Sequence, residues 1–262
     1  VHVEYYARIV ERTATLRRLI DAGTQVVDIG FREGIDTEEA LDAAERAIFD
    51  VSQRRQTKDW TSMGEVLDKF FDQIDYLQQH RGDVVGVATG YSDMDQMTGG
   101  LQRSDLIILA ARPSMGKTSL ALGMAYGAAV VHKRTVGIFS LEMSAEQLVQ
   151  RILSMETGVD SHRLRLGQID DNEWDRISRA FGRLSEAPIY VDDSSSSSIM
   201  DVRSKARRLQ AEQGLDLIIV DYLQLMSGRR TDNRVQEISE ISRGLKGLAR
   251  ELNVPVVALS QL

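Results

Sequence analysis

The sequence contains no cysteine, only three prolines and no long apolar run. Because cysteine is absent, the chain can form neither a disulfide framework nor a thiolate metal site, which fits a reducing, cytoplasmic setting. The longest purely apolar run, Leu106–Ala111, is far shorter than the roughly 18 residues that a membrane-spanning helix needs. These absences exclude a disulfide-stabilised secreted domain and predict no membrane partner.

The remaining composition is ordinary for a globular protein, with 42% hydrophobic and 27% charged residues among 262, and it excludes a disordered or collagen-like chain. The formal net charge is −7, whereas nucleic-acid binders are usually basic. One local cluster is basic despite the negative net charge, since Arg229, Arg230 and Arg234 lie within six positions. From charge alone, this cluster is either a solvated face or a contact for DNA phosphates.

The first 80 residues or so show helical periodicity only. The apolar spacing from Tyr6 to Ile20 predicts a first helix with Gly23 as its stop, and a second helix is predicted to begin near Asp36. A third helix is predicted after Thr61, and polar segments flank it on both sides. Its strong apolar stripe comprises Val66, Leu67, Phe70, Phe71, Ile74 and Leu77. This stripe packs either within its own domain or on another subunit.

From residue 100 onward, short apolar runs alternate with helical stretches. The predicted strands are Leu106–Ala111, Thr135–Leu141, Ile189–Asp192, Leu217–Asp221 and Val254–Leu259. The predicted helices are 117–131, 144–157, 171–185, 199–212 and 235–252. This alternation indicates an α/β fold with a parallel sheet covered by helices on both faces. The serine run Ser194–Ser198 is expected to form a loop between a strand and a helix.

The most specific motif is the segment Ala111-Arg112-Pro113-Ser114-Met115-Gly116-Lys117-Thr118, followed by Ser119. It resembles the phosphate loop G-x-x-x-x-G-K-[S/T], with alanine in place of the first glycine. An apolar strand enters the segment and a helix-forming run leaves it, so that loop amides and a helix N-terminus would face one anion. Lys117 would then reach the β- and γ-phosphates and the Thr118 hydroxyl would hold Mg²⁺. The alternative is an ordinary strand–helix turn with an exposed lysine.

Polar residues stand at the ends of three further predicted strands. Asp221 ends one strand and is a candidate second magnesium residue, because ligands bind at the carboxyl ends of parallel strands. Glu142 follows another strand and is a candidate base for the attacking water, although it would equally suit the first turn of a helix. Gln261 could contact a γ-phosphate, or it could be an ordinary polar residue at the end of a strand.

Several segments together resemble the DnaB family of replicative DNA helicases, which are RecA-like ATPases. The resemblance runs along nearly the whole chain. It is carried by segments that begin at Glu4, Leu16, Thr89, Thr98, Ala110, Phe139, Val220, Gln236, Ile241 and Leu259. The most family-specific are the phosphate loop that begins with alanine and the segment Phe139-Ser-Leu-Glu-Met-Ser.

This resemblance implies a hexameric ring that hydrolyses ATP at its subunit interfaces, translocates on single-stranded DNA and unwinds the duplex at the fork. The implied cofactors are ATP and Mg²⁺. The implied site residues are Lys117 and Thr118 on ATP and Mg²⁺, Asp221 on Mg²⁺, Glu142 as the base, Gln261 as the γ-phosphate sensor and Arg151 over the adenine. The arginine cluster at 229–234 would touch DNA.

The resemblance also implies a domain plan and partners. Residues 1–55 would end a helical N-terminal domain that meets primase, residues 56–88 would form a linker, and residues 89–262 would form a RecA-like ATPase domain. The linker helix over 62–79 would dock on the neighbouring subunit, and a helicase loader is a further expected partner. We expect a cytoplasmic protein of the bacterial replisome.

Two departures from the family pattern bear on activity. The chain stops directly after a predicted strand, and its first residue is valine, so we expect a piece of a longer protein. An arginine supplied to the neighbour's ATP would then lie beyond Leu262, and the piece alone should hydrolyse ATP poorly. The serine run also replaces a segment expected to contain threonine and proline.

Two other functional classes fit parts of the pattern. One is a RecA-like ATPase that does not unwind DNA, such as a recombinase or clock-type protein, which the N-terminal helices disfavour. The other is a non-enzymatic docking platform in which the nucleotide is only structural. Strand displacement on a forked duplex and DNA-stimulated phosphate release would distinguish them from a helicase.

Overall fold

The computed structural model describes residues 3–32, 40, 43–44, 47–48, 62–79, 84–194, 198–226 and 234–262. Two compact units divide the chain, residues 1–78 and residues 79–262. No helix within the described ranges is long and apolar enough to cross a membrane.

The first unit contains helix α1, Val3–Gly30, and helix α2, Met63–Gln79. The prediction that Gly23 ends the first helix is wrong, because α1 continues through it. A glycine ends a helix by adopting a left-handed conformation, whereas Gly23 has no positive φ and a Cβ placed on it would meet nothing within 4 Å. The predicted helix start near Asp36 lies outside the described residues.

Both helices of this unit present large apolar side chains to solvent. On α2 the exposed apolar residues are Met63, Val66, Leu67, Phe70, Phe71 and Ile74, and on α1 they include Tyr6, Val10, Ile20 and Val27. The stripe predicted on the third helix is therefore present and largely uncovered by the residues that the structure describes. Large exposed apolar faces are a common feature of interaction surfaces.

The second unit is built on a parallel five-stranded sheet with the order β1-β5-β4-β2-β3. Its strands are β1 Leu106–Ala111, β2 Val136–Ser140, β3 Ile189–Asp192, β4 Leu217–Asp221 and β5 Val256–Gln261. Its helices are α3 Ser92–Thr98, α4 Lys117–Tyr126, α5 Ala145–Thr157, α6 Ser161–Leu166, α7 Asp171–Ser185, α8 Ile199–Gln213 and α9 Arg234–Leu252. A π-helical turn, Gly127–Val131, extends α4, and a 3-10 turn, Leu223–Leu225, follows β4. The predicted α/β fold is confirmed, although the short helices α3 and α6 were not predicted.

Helices cover both faces of the sheet and form two apolar clusters. One cluster packs α8 and α9 against the sheet, with Val202, Leu245 and Leu248 fully buried. The other packs α4 and α5 on the opposite face. Strands β2 and β4 are buried at every position, as continuous apolar runs predict. Strand β1 differs, because it lies at the edge of the described sheet and Ile108 is exposed.

The last strand begins two residues later than predicted. The backbone N–H of Val254 donates to the carbonyl of Ala249 at the end of α9, so this residue still belongs to the helix terminus. Pro255 has no N–H to donate to a ladder. Pairing with β1 therefore begins at Val256 and continues to Gln261, which brings Gln261 to the carboxyl edge of the sheet.

The segment Thr89–Tyr91 packs on two glycines of the long helix that follows the phosphate loop. A Cβ at Gly127 would lie 2.3 Å from the Thr89 carbonyl oxygen, and one at Gly123 would lie 1.9 Å from the Tyr91 hydroxyl. The carboxylate of Asp95 holds this segment by accepting from the Thr89 and Gly90 amides. Gly127 thus permits a direct backbone approach that a larger residue would block, whereas Gly123 makes room for the Tyr91 side chain.

We predict that Gly127→Ala destabilises the protein by about 1–3 kcal/mol, the usual cost of overpacking, because the backbone of Thr89 cannot yield as a side chain would. Gly182→Ala is the matched control, since Gly182 lies within α7 and a Cβ there meets nothing within 4 Å. It should leave stability unchanged or raise it by up to about 1 kcal/mol through helix propensity. Denaturant unfolding measures both, and equal midpoints for the two variants would contradict the prediction.

Candidate nucleotide site

The predicted phosphate loop lies between β1 and α4, at the carboxyl edge of the sheet. Two of its residues have left-handed backbone conformations, Ser114 with φ 63° and Gly116 with φ 84°. Gly116 precedes the first residue of α4, and no side chain caps its N-terminus. The first amides of the helix are therefore available to an anion, as in helix-terminal phosphate sites. Arg112, Pro113 and Met115 on the loop are exposed.

Lys117 is the first residue of α4, and its side chain extends toward the end of β4. The Nζ atom lies 5.0 Å from the centroid of the Tyr222 ring, a geometry in which a cation is attracted to an aromatic face. Tyr222 directly follows Asp221 at the end of β4. The lysine is thus placed between the loop and the tip of β4.

Thr118 and Asp221 are joined directly, although 103 residues separate them. The Thr118 hydroxyl donates to Asp221 Oδ2 over 2.8 Å. Asp221 is only 3% exposed, and its buried Oδ1 has no hydrogen-bond partner among the described residues. A buried carboxylate oxygen without a partner is costly, so this atom is a candidate ligand position.

These two oxygen donors fit Mg²⁺ as nucleotide-binding proteins hold it. Magnesium prefers oxygen ligands and usually keeps most of its shell from water and substrate phosphates, with one or two protein groups. The site therefore suits a metal that arrives with a phosphate chain.

Four of the predicted residues affect the pKa of Asp221. Burial raises the pKa of Asp221 above its ordinary value, and this is the largest effect. The Thr118 hydrogen bond and the positive charges of Lys117 and Arg151 lower it, whereas the negative charge of Glu142 raises it. All four groups therefore lie close enough to Asp221 to change the stability of its charge.

Glu142 is held at the edge of the sheet by a turn that Ser140 organises. The Ser140 hydroxyl donates to the Met143 carbonyl over 2.7 Å and accepts from the Met143 amide. Ser140 pairs with Asp221 in the ladder between β2 and β4. Glu142 itself is exposed and precedes the Ser144 cap of α5. Glu142 therefore lies before the first turn of α5, whose cap is Ser144 and whose first-turn acid is Glu146, and its charge acts on Asp221.

Gln261 ends β5 directly opposite Ala111, where β1 enters the phosphate loop. Its side chain is exposed. Its backbone is bonded on the other side by Gln224, whose amide nitrogen donates to the Gln261 carbonyl oxygen over 2.9 Å. Asp221, Glu142 and Gln261 thus all lie at or just beyond the carboxyl ends of their strands, at the same edge of the sheet as the loop.

The remaining predicted residues are Arg151, whose charge acts on Asp221, and the arginine cluster at 229–234. Arg151 lies on α5 and lines a cavity of about 200 Å³ with Met143, Gln147, Gln150, Ser161, His162 and Arg165. Its predicted contact with adenine stays a prediction. Arg229 and Arg230 lie outside the described residues, and Arg234 begins α9 without a described side chain.

Sequence reasoning missed three residues that shape the site: Ser140, Tyr222 and Gln224. Each occurs within one of the segments on which the family resemblance rests, so the segments were noticed but these positions were not. Tyr222 and Gln224 follow the buried strand β4, and Ser140 ends β2. Polar and aromatic residues directly beyond a predicted strand were the available signal.

The DnaB-like helicase C-terminal domain model matches residues 86–262 of the chain. The chain belongs to the DnaB-like helicase family. The matched region contains the whole sheet and every residue of the site described above. Membership in this family implies that the chain uses a nucleotide.

Individual relatives agree with the family. The chain is 48% identical over 263 residues to the replicative DNA helicase DnaB of Geobacillus stearothermophilus, and it spans 58% of that protein's length. A solved structure of an ATPase domain has a TM-score of 0.72 at 32% identity, with 78% of this chain and 72% of that chain covered. A solved DnaB-like replicative helicase, described with its interactions with primase, has a TM-score of 0.78 at 27% identity, with 99% and 60% covered. The predicted RecA-like helicase fold is confirmed.

We predict that Asp221→Asn lowers the affinity for Mg²⁺-nucleotide without lowering the free energy of unfolding. Because the folded pKa of Asp221 is raised, its contribution to the free energy of unfolding is present at low pH and is lost as pH rises through that pKa. At neutral pH the variant should therefore unfold no more easily than the nucleotide-free parent. Its affinity for Mg²⁺-nucleotide should fall by roughly 10–100-fold, as when metal-site partners are removed.

Calorimetry with Mg²⁺-ADP and thermal unfolding without nucleotide measure the two effects. Asp105→Asn is the control, because Asp105 is an exposed carboxylate at the opposite edge of the sheet. A large loss of stability in Asp221→Asn, or unchanged affinity for the metal complex, would argue against a metal role for this residue.

Proposed function

We propose that this chain is the motor part of a replicative DNA helicase that hydrolyses ATP to ADP and phosphate. The observation that carries this proposal is the hydrogen bond between Thr118 and the buried Asp221, with the charges of Lys117 and Glu142 acting on that carboxylate, at the end of a phosphate loop. The family and the named replicative helicases among its relatives support DNA unwinding as the output.

In the proposed reaction, each residue acts on a different part of the triphosphate. The amides of the phosphate loop and Lys117 would hold the β- and γ-phosphates and offset their negative charge. Thr118 and Asp221 would hold Mg²⁺, which supplies further charge neutralisation when bound. Glu142 would orient the attacking water and accept its proton, and Gln261 would contact the γ-phosphate.

Glu142 suits the role of the base because it is exposed where the triphosphate would end. Asp221 is buried and hydrogen-bonded to Thr118 through Oδ2, and its Oδ1, which has no partner among the described residues, would be available to the metal. The two carboxylates thus have separate environments, one for a cation and one for a water. Such a separation of roles is the usual way in which two nearby acids share a site.

Assembly of several copies would complete the motor. The uncovered apolar face of α2 supports its proposed role as a linker helix that docks on a second copy, since phenylalanines at this exposure need a partner surface. A hexameric ring, single-stranded DNA in its channel, and primase and a loader as partners follow from the family. The relative solved with primase supports the primase interaction. The bacterial relatives support a cytosolic location.

We predict that Glu142→Gln retains nucleotide binding but lowers the turnover of ATP by about 10²-fold or more, the usual contribution of a positioned base. Phosphate release and calorimetry on the intact protein measure the two properties. Glu146→Gln is the control, since Glu146 is an exposed acid in the first turn of α5. Hydrolysis at the parental rate in the Glu142 variant would remove this residue from the role of base.

We predict that reversing the charges of Arg229 and Arg230 to glutamate weakens the binding of single-stranded DNA and flattens its salt dependence. Each lost phosphate contact should reduce the slope of log affinity against log salt by about 0.7. Arg179→Glu with Arg208→Glu is the matched double reversal, because both arginines lie elsewhere on the domain, on α7 and α8. An equal slope in the two doubles would assign Arg229 and Arg230 to a solvated face.

A further inference from the structure

The side-chain amide of Gln224 is bonded to the backbone of Gln261 through both of its ends. Its Oε1 accepts from the Gln261 amide at 3.3 Å, and its Nε2 donates to the Gln261 carbonyl oxygen at 2.9 Å. The same nitrogen is 3.0 Å from the Ser260 hydroxyl oxygen. This is the donor and acceptor pattern that a neighbouring strand would offer.

Gln224 takes the place that β4 leaves vacant beside the end of β5. The ladder between β4 and β5 stops at Val220 and Ala258. On its other side β5 continues to Gln261 against β1, so the last residues of β5 have a strand on one side only. The chain of β4 turns away after Asp221, and the 3-10 turn brings Gln224 back to that open side.

The 3-10 turn does not depend on Gln224 to stay in place. Leu223 and Met226 on either side of it are each only 2% exposed and pack in the apolar cluster beneath α9. Gln224 itself is partly exposed. A substitution at Gln224 can therefore remove its hydrogen bonds while the turn remains anchored by its apolar neighbours.

We propose that Gln224 is a positioning residue that fixes the end of β5, so that the Gln261 side chain is presented to the γ-phosphate. This inference rests on the proposed function. Because Gln224 follows Asp221 by three residues, one turn of the chain ties the metal carboxylate to the sensor strand. The consequence is that discrimination between a triphosphate and a diphosphate depends on a side chain that touches neither.

The test compares Gln224→Ala and the uncharged, similarly sized Gln224→Met with Gln210→Ala and Gln210→Met. Gln210 is a matched control, because its Nε2 donates to the Leu252 carbonyl at 2.9 Å between α8 and α9, far from the site. Calorimetry on the intact protein gives the affinities for Mg²⁺-ADP and for a non-hydrolysable ATP analogue. Both Gln224 variants should keep the ADP affinity and lose roughly fivefold or more of the preference for the analogue, about the effect of one hydrogen bond.

A double-mutant cycle with Gln261→Ala distinguishes an effect of Gln224 that acts through Gln261 from a general disturbance of the structure. If Gln224 acts through Gln261, adding Gln224→Ala to Gln261→Ala should cause no further loss of the preference. Hydrogen exchange gives a second readout without turnover, since the Gln261 amide should exchange roughly fivefold faster in Gln224→Ala. The Gln210 variants should match the parent in both.

Two outcomes overturn the inference: a parental preference and parental exchange in the Gln224 variants, or additive losses in the cycle. Phosphate release on single-stranded DNA by the parent protein is measured in parallel. Failure of that reaction in the parent contradicts the proposed function, whereas failure of the Gln224 variants to differ from an active parent contradicts this inference alone.

Discussion

The hydrogen bond between Thr118 and Asp221 is the contact on which the rest of the site depends. It joins the first turn of the helix after the phosphate loop to the end of a fully buried strand. Because both ends are fixed by the sheet and its helices, the hydroxyl and the carboxylate keep their separation without help from a ligand. The surrounding charges of Lys117, Arg151 and Glu142 then act on a carboxylate whose position is already set.

Much of the sheet could be predicted from the sequence, because buried parallel strands are continuous apolar runs and their ends are marked by polar residues. The positions of Asp221 and Lys117 followed from this pattern. What could not be predicted depends on contacts across long separations. The continuation of α1 through Gly23, the late start of β5 after Pro255 and the exposure of Ile108 on β1 each reflect tertiary surroundings or local backbone geometry that no short window of sequence contains.

The site residues divide in the same way. Those with chemical side chains in a known spacing were predictable, whereas Ser140 and Gln224 act on the backbone of residues far along the chain or across a turn. Their side chains are chemically ordinary, and only the fold shows what they hold. Neutral hydrogen-bonding residues therefore hold the backbone beside Glu142 and at Gln261, which suits a site where an additional charge would alter the pKa of Asp221.

The contact of Thr89 and Gly90 with Gly127 gives the nucleotide helix a second attachment. Gly127 follows Lys117 by ten residues, about 15 Å along a helix. The phosphate loop therefore lies at one end of this helix, and the segment Thr89–Tyr91 packs near its other end. The packing of Thr89 and Gly90 on Gly127 therefore also holds the helix whose N-terminus lies at the phosphate loop.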